Sequence, residues 1–190
     1  MSDDKLGLGV ASNRKGAAEV AAGIGDVGDL MVYAYAMEAE AAERYAEFAD
    51  AMETHNNLEV AELFRKLSRI EHIHAQQIVE SMRWNEPPPP PPGGFRWLGL
   101  EGPESGDHAD LHYLMQPYHA LQIALRNEQG AQLFYAAVAR EASDEKVRAG
   151  AAEMAAEEEE HVSLIQQWLE RTAKPEPGWA RDDDPPMLGD

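Results

Sequence analysis

Two short motifs carry the chemistry of this chain. In Glu158-Glu159-Glu160-His161, and again in Glu71-His72-Ile73-His74, a glutamate is followed three residues later by a histidine. On an α-helix that spacing places both side chains on one face, about 60° apart and one turn up. Each pair also lies on an apolar stripe: Met154, Ile165 and Trp168 continue the later one, Leu67, Ile70 and Ile78 the earlier one. An acid and an imidazole are thus carried toward an apolar interior, where unpaired charge is expensive. A bound metal ion is one of the few partners that makes the placement cheap. The alternative is a bundle whose core polar groups merely hydrogen-bond one another.

Four helices are needed to position these motifs. The first is expected from Asp29, as N-cap, to about Thr54, with an inward stripe of Met31, Ala34, Glu38, Ala41, Ala42, Tyr45, Ala49 and Met52. His55-Asn56-Asn57 ends it, and Asn56 with Glu59 forms a capping box for a second helix running to about Arg83. So short a turn implies an antiparallel hairpin. Pro117 opens a third helix, to about Glu141, with the stripe Leu121, Leu125, Glu128, Ala131, Gln132, Tyr135 and Val138. Ser143, with Asp144 and Glu145 behind it, opens the fourth, and Lys174-Pro175 stops it. Between the hairpins, residues 84–116 include six consecutive prolines, Pro87 to Pro92, which form an extended rod. A connection this long is expected to cross over along the whole bundle. The fold expected is all-α: a four-helix bundle over 29–173, made of two antiparallel hairpins joined by a Pro-rich crossover. Residues 1–28 read as a flexible N-terminal arm or a strap over the bundle, and 174–190 as a disordered acidic, Pro-rich tail.

Composition narrows the partners. The 190 residues carry 16 basic and 35 acidic side chains, a formal charge of −19. Phosphate recognition needs clustered Lys and Arg, so nucleic acid is not expected as a partner; cations are. There is no cysteine, which excludes disulfides, thiolate zinc sites and iron–sulfur clusters and leaves His, Asp and Glu as ligands. No apolar run is long enough for a membrane span. Met1-Ser2-Asp3-Asp4-Lys5 lacks the basic-then-apolar layout of a secretion signal, so the expected compartment is the cytoplasm.

The two hairpins repeat each other. Glu38 is followed by Tyr45 and Glu128 by Tyr135, in each case two helical turns on. A Glu-x-x-His motif then follows on the second helix of each hairpin. Packed about a pseudo-two-fold axis, the hairpins would deliver four carboxylates and two imidazoles to one point in the core. On these residues the stretch from 30 to 172 resembles the ferritin-like superfamily of di-iron carboxylate proteins, and most closely its rubrerythrin-type members. The resemblance implies that Glu38 and Glu128 are terminal ligands, that Glu71 and Glu158 bridge two metals and carry the catalytic role, and that His74 and His161 each cap one metal. It implies two Fe ions as cofactor, with Mn or mixed Fe/Mn as variants. Four carboxylates would balance two ferrous ions. Tyr45 and Tyr135 are expected beside the ligands, each hydrogen-bonded to a carboxylate.

Two features depart from the peroxide-reducing rubrerythrins. Their extra ligand glutamate one turn along helix three is replaced here by Ala131, matched by Ala41 on helix one. Their Cys-rich rubredoxin domain is absent. The activity expected is oxidation of ferrous iron by O2 or peroxide, or reduction of peroxide with an external electron donor, in a homodimer. Iron storage in a larger assembly and a non-catalytic helical interaction module are the alternatives. His72 is expected at the surface, and Glu157, Glu159 and Glu160 on a solvated face. His55, His108, His112 and His119 are assigned no part in the site.

Overall fold

A computed structural model describes residues 16–99, 102–104 and 106–182. Among these residues the chain is helical with no strand. Four long helices are labelled α1 (Val27–Thr54), α2 (Leu58–Ser81), α3 (Pro117–Glu141) and α4 (Glu145–Arg171). α1 packs along α2 and α3 along α4, and the hairpins meet where α2 approaches α3 and α1 approaches α4. No helix among the described residues is long and apolar enough to cross a membrane.

The helix ends follow local chemistry, with two shifts from the sequence expectation. α1 is capped by Asp26 rather than Asp29. The Asp26 carboxylate accepts from the Asp29 amide at 2.9 Å, while Asp29 turns back to accept from the Gly25 amide. α2 is capped by Asn57 rather than Asn56, because Asn56 adopts the left-handed backbone (φ 56°) that the tight turn requires. The Asn57 amide also donates to the carbonyls of Met115 (2.7 Å) and Tyr113 (3.1 Å). One side chain thus fastens the α1–α2 turn to the end of the crossover. Pro117 starts α3, and Asp144 caps α4 by accepting from the Lys146 and Val147 amides.

α1 buries a wider face than its predicted stripe. Leu30, Tyr33, Met37 and Phe48 are buried as well, while Met31 is only half-buried. The reason is that the crossover covers a second side of α1. Phe95 and Trp97 stack on each other and meet the Tyr33 ring edge-on, and the Arg96 amide donates to the Tyr33 hydroxyl at 3.0 Å. Residues 16–21 form a further helical segment whose Ala17, Val20 and Ala21 are buried, together with Ile24. This is the strap form of the N-terminal expectation; residues 1–15 lie outside the described residues. The start of the expected disordered tail is also packed. Trp179 lies against His119 with ring centroids 3.9 Å apart, and the Tyr113 hydroxyl donates to Asp182 at 2.6 Å. Residues 183–190 lie outside the described residues.

The apolar core is in two blocks. One gathers Tyr45, Phe48, Met52, Phe64, Leu67, Leu121 and Ile165. The other gathers Val20, Leu30, Tyr33, Met37, Phe134, Tyr135, Val138 and Val147. Between them, each long helix presents one buried glutamate: Glu38, Glu71, Glu128 and Glu158.

The crossover reaches this middle layer by way of Gly130. A Cβ there would stand 2.7 Å from the Pro103 carbonyl oxygen, a backbone atom that cannot swing aside. Gly130→Ala should therefore destabilise the protein by about 1–3 kcal/mol through overpacking. Thermal unfolding of the variant checks this; a melting temperature equal to that of the native chain would contradict the close approach.

Candidate metal centre

Each hairpin contributes one carboxylate–carboxylate–imidazole group. Glu38 on α1 meets Glu71 and His74 on α2, and Glu128 on α3 meets Glu158 and His161 on α4; within each group the ligand atoms lie within 4.8 Å of one another. His74 Nδ1 is 3.2 Å from Glu71 and 3.5 Å from Glu38. His161 Nδ1 is 3.1 Å from Glu158 and 3.2 Å from Glu128. The two imidazoles stack with centroids 5.1 Å apart and planes inclined by 9°, which sets the groups side by side. All six residues expected from the motifs are thus brought to one place. Helical spacing does the local work, and the symmetry of the hairpins does the rest.

The four carboxylates are buried, while the His74 and His161 side chains keep 26% and 34% of their surface exposed. The imidazole side of the site is therefore its open side. A cavity of about 590 Å³ reaches Glu38, His74, Glu158 and His161 between Met31, Ile78 and Met154. A smaller one of about 120 Å³ reaches Glu71, His74, Glu128 and His161 beside Leu67 and Trp168.

Charge crowding shows in the proton affinities. Burial pushes the Glu38 carboxyl up to about 8, against the pull of His74. Hydrogen bonding to Glu38 and Glu71 raises His74 to about 10, and bonding to Glu128 and Glu158 raises His161 to about 11. Burial also raises Glu158. In the ion-free protein, protons supply positive charge that a cation would otherwise provide.

The tyrosines depart from expectation. Tyr45 and Tyr135 are buried beside the glutamates, but neither hydroxyl is hydrogen-bonded to a carboxylate. Tyr45 accepts from the Asn127 amide at 3.0 Å, and the Tyr135 hydroxyl has no hydrogen-bond partner among the described residues. Burial, then the nearby carboxylates, raises both phenols well above the ordinary range. The remaining histidines stay out of the site. His72 pairs with Gln76 at the surface, His108 with Glu47, and His119 helps cap α3. Glu157, Glu159 and Glu160 are exposed, as their charge run suggests.

Two neighbours of the site were not singled out from the sequence. Asn127 is buried and donates both to Tyr45 and to the Glu104 carbonyl, the latter at 2.8 Å. Glu104, in the irregular crossover, is 5% exposed, and burial followed by repulsion from Glu38, Glu158, Glu128 and Glu71 raises its carboxyl well above the ordinary range. No periodicity marks a lone acid in a loop. The only hints are the flanking Gly102-Pro103 and Gly106, which permit a tight approach.

Four helices that offer two Glu–Glu–His groups at mid-length define a carboxylate–histidine bundle compatible with a two-metal site. Comparison with known proteins supplies the family. The rubrerythrin family profile matches residues 29–88, which span α1, α2 and the start of the crossover. The crystal structure at 2.00 Å of an uncharacterized conserved protein from Magnetospirillum magnetotacticum MS-1 is 41% identical, with a TM-score of 0.54. The match covers 77% of this chain and 95% of that one. No curated protein matches the sequence. The chain carries a rubrerythrin-type domain of the ferritin-like superfamily and is a relative of the Magnetospirillum protein over most of both chains.

A pH dependence follows for the ion-free protein. The ordinary values are 6.5 for histidine and 4.5 for glutamate, so the folded chain holds protons that the unfolded chain releases. The histidine contribution is fully present below 6.5 and is lost as pH rises through about 10 and 11. The cost of ionising Glu38 grows between 4.5 and about 8. Both make stability fall with rising pH. The melting temperature of chelator-treated protein should drop between about pH 6 and pH 9; a flat or rising profile would contradict the assignment.

Proposed function

We propose that the protein is a di-iron oxidoreductase that couples ferrous oxidation to the reduction of O2 or peroxide. The observation that carries this reading is the side-by-side placement of the two Glu–Glu–His groups, one from each hairpin. Mixed oxygen and nitrogen donors without sulfur suit Fe or Mn. Four carboxylates also match the charge of two divalent ions, which makes the buried site tolerable once filled.

In this reading Glu38 and Glu128 would each hold one metal, and Glu71 and Glu158 would be the carboxylates shared between the two. His74 and His161, which line the cavity, would each hold one metal. Bound iron supplies two adjacent one-electron couples, enough to reduce O2 to peroxide or peroxide to water. The rest falls to the chain. The two apolar core blocks exclude bulk water, while the cavity beside His74 and His161 admits a small oxidant. Glu38 and the histidines give up protons as metal binds. Turnover as a peroxide reductase would need an external electron donor.

Anaerobic loading with Fe(II), followed by O2 or H2O2 and monitored by absorbance, tests the activity; two irons per chain and their rapid oxidation are expected. The Glu71→Ala, Glu158→Ala double variant should lose two-metal binding and oxidation while its helical circular dichroism persists. Retention of two metals per chain in that variant would refute the shared-ligand assignment.

A further inference from the structure

The crossover does more than connect the hairpins. It carries Glu104 into the buried middle layer, its carbonyl held by Asn127 next to Glu128; burial first, then repulsion from Glu38, Glu158, Glu128 and Glu71, raises its carboxyl well above the ordinary range. The surrounding chain is built to put it there. Gly130 has no Cβ, so Pro103 can rest on α3 two residues beyond Glu128, on the side of the helix that also carries Asn127. Asn127, adjacent to Glu128, grips the Glu104 carbonyl at 2.8 Å while also holding the Tyr45 hydroxyl at 3.0 Å. On the far side, Gly106 takes a left-handed backbone (φ 55°), and a Cβ there would stand 3.1 Å from the Phe48 ring. The result is a buried acid among four others, a costly arrangement unless cations compensate it. Glu104 lines neither of the two cavities beside the histidines.

We infer that Glu104 is a fifth carboxylate of the metal centre, delivered by the crossover and shared between the two Glu–Glu–His groups. The inference rests on the metal-centre reading and adds a residue to it. Four carboxylates neutralise two divalent ions; a fifth leaves the filled site with negative charge to spare and favours ions of higher charge. The crossover is then part of the binding site, and its length is explained by the distance it must travel to bring Glu104 home.

Mn(II) binding to the full chain, measured by calorimetry beside thermal unfolding of the ion-free protein, tests this. Glu104→Gln keeps the shape and removes the charge. It should weaken Mn(II) binding by about tenfold or more, while leaving the ion-free melting temperature equal to or above that of the native chain. Unchanged affinity, or a lower ion-free melting temperature with affinity intact, would assign Glu104 a packing role and overturn the inference. Native protein that binds no Mn(II) would overturn the metal-centre reading and this one with it. Should Glu104→Gln fail to fold, Glu104→Asp and Glu104→Asn, equal in size, repeat the comparison: Asp must bind Mn(II) more tightly than Asn, and equal affinities overturn the proposal.

Discussion

The constraint on which this structure depends is the cost of placing acids in the dry middle of a helical bundle. Glu38, Glu71, Glu128 and Glu158 are each buried, one per helix, between two apolar blocks that together make the core. An ionised carboxylate in such a place is unfavourable by several kcal/mol unless a partner compensates it. In the ion-free chain the partners are protons, which Glu38 and both histidines bind more tightly than their ordinary values allow. A sequence under selection for stability alone would fill this layer with leucine. That it does not is the physical basis for reading the layer as a site.

The remainder of the architecture serves that layer. Asn57 locks the α1–α2 turn to the end of the crossover, so the hairpins are held by polar bonds at one end. At the other, Tyr33, Phe95, Trp97 and Phe134 clamp the crossover onto the bundle. The crossover in turn places Glu104 in the buried layer, held through its carbonyl by Asn127. What stays open is the imidazole side, where a cavity reaches His74, His161, Glu38 and Glu158.

Much of this was legible in the sequence, for a physical reason. A helix repeats every 3.6 residues, so Glu-x-x-His on an apolar stripe fixes both direction and depth of the side chains before any tertiary contact is known. The repetition of Glu38, Glu71 and His74 as Glu128, Glu158 and His161 then made convergence readable. Helix ends were less so: Asp26 against Asp29, and Asn57 against Asn56, differ by which local carbonyl or amide group happens to be in reach. What could not be read were contacts made by irregular chain. Glu104 sits in a stretch with no period, and its depth is set by Gly130 and Asn127 on another element. The same holds for Trp179, whose partner rings lie far away in sequence. Tyr45 and Tyr135 were placed correctly in depth, yet their hydroxyl partners depend on Asn127 and on side-chain packing that spacing does not encode.

The account stands or falls on where ions sit. Anomalous diffraction from crystals of the Mn(II)-loaded protein measures this most directly. Two peaks are predicted, one against Glu38, Glu71 and His74 and the other against Glu128, Glu158 and His161. The same side chains closed upon one another with no peak between them, or manganese held only elsewhere on the acidic surface, would contradict it.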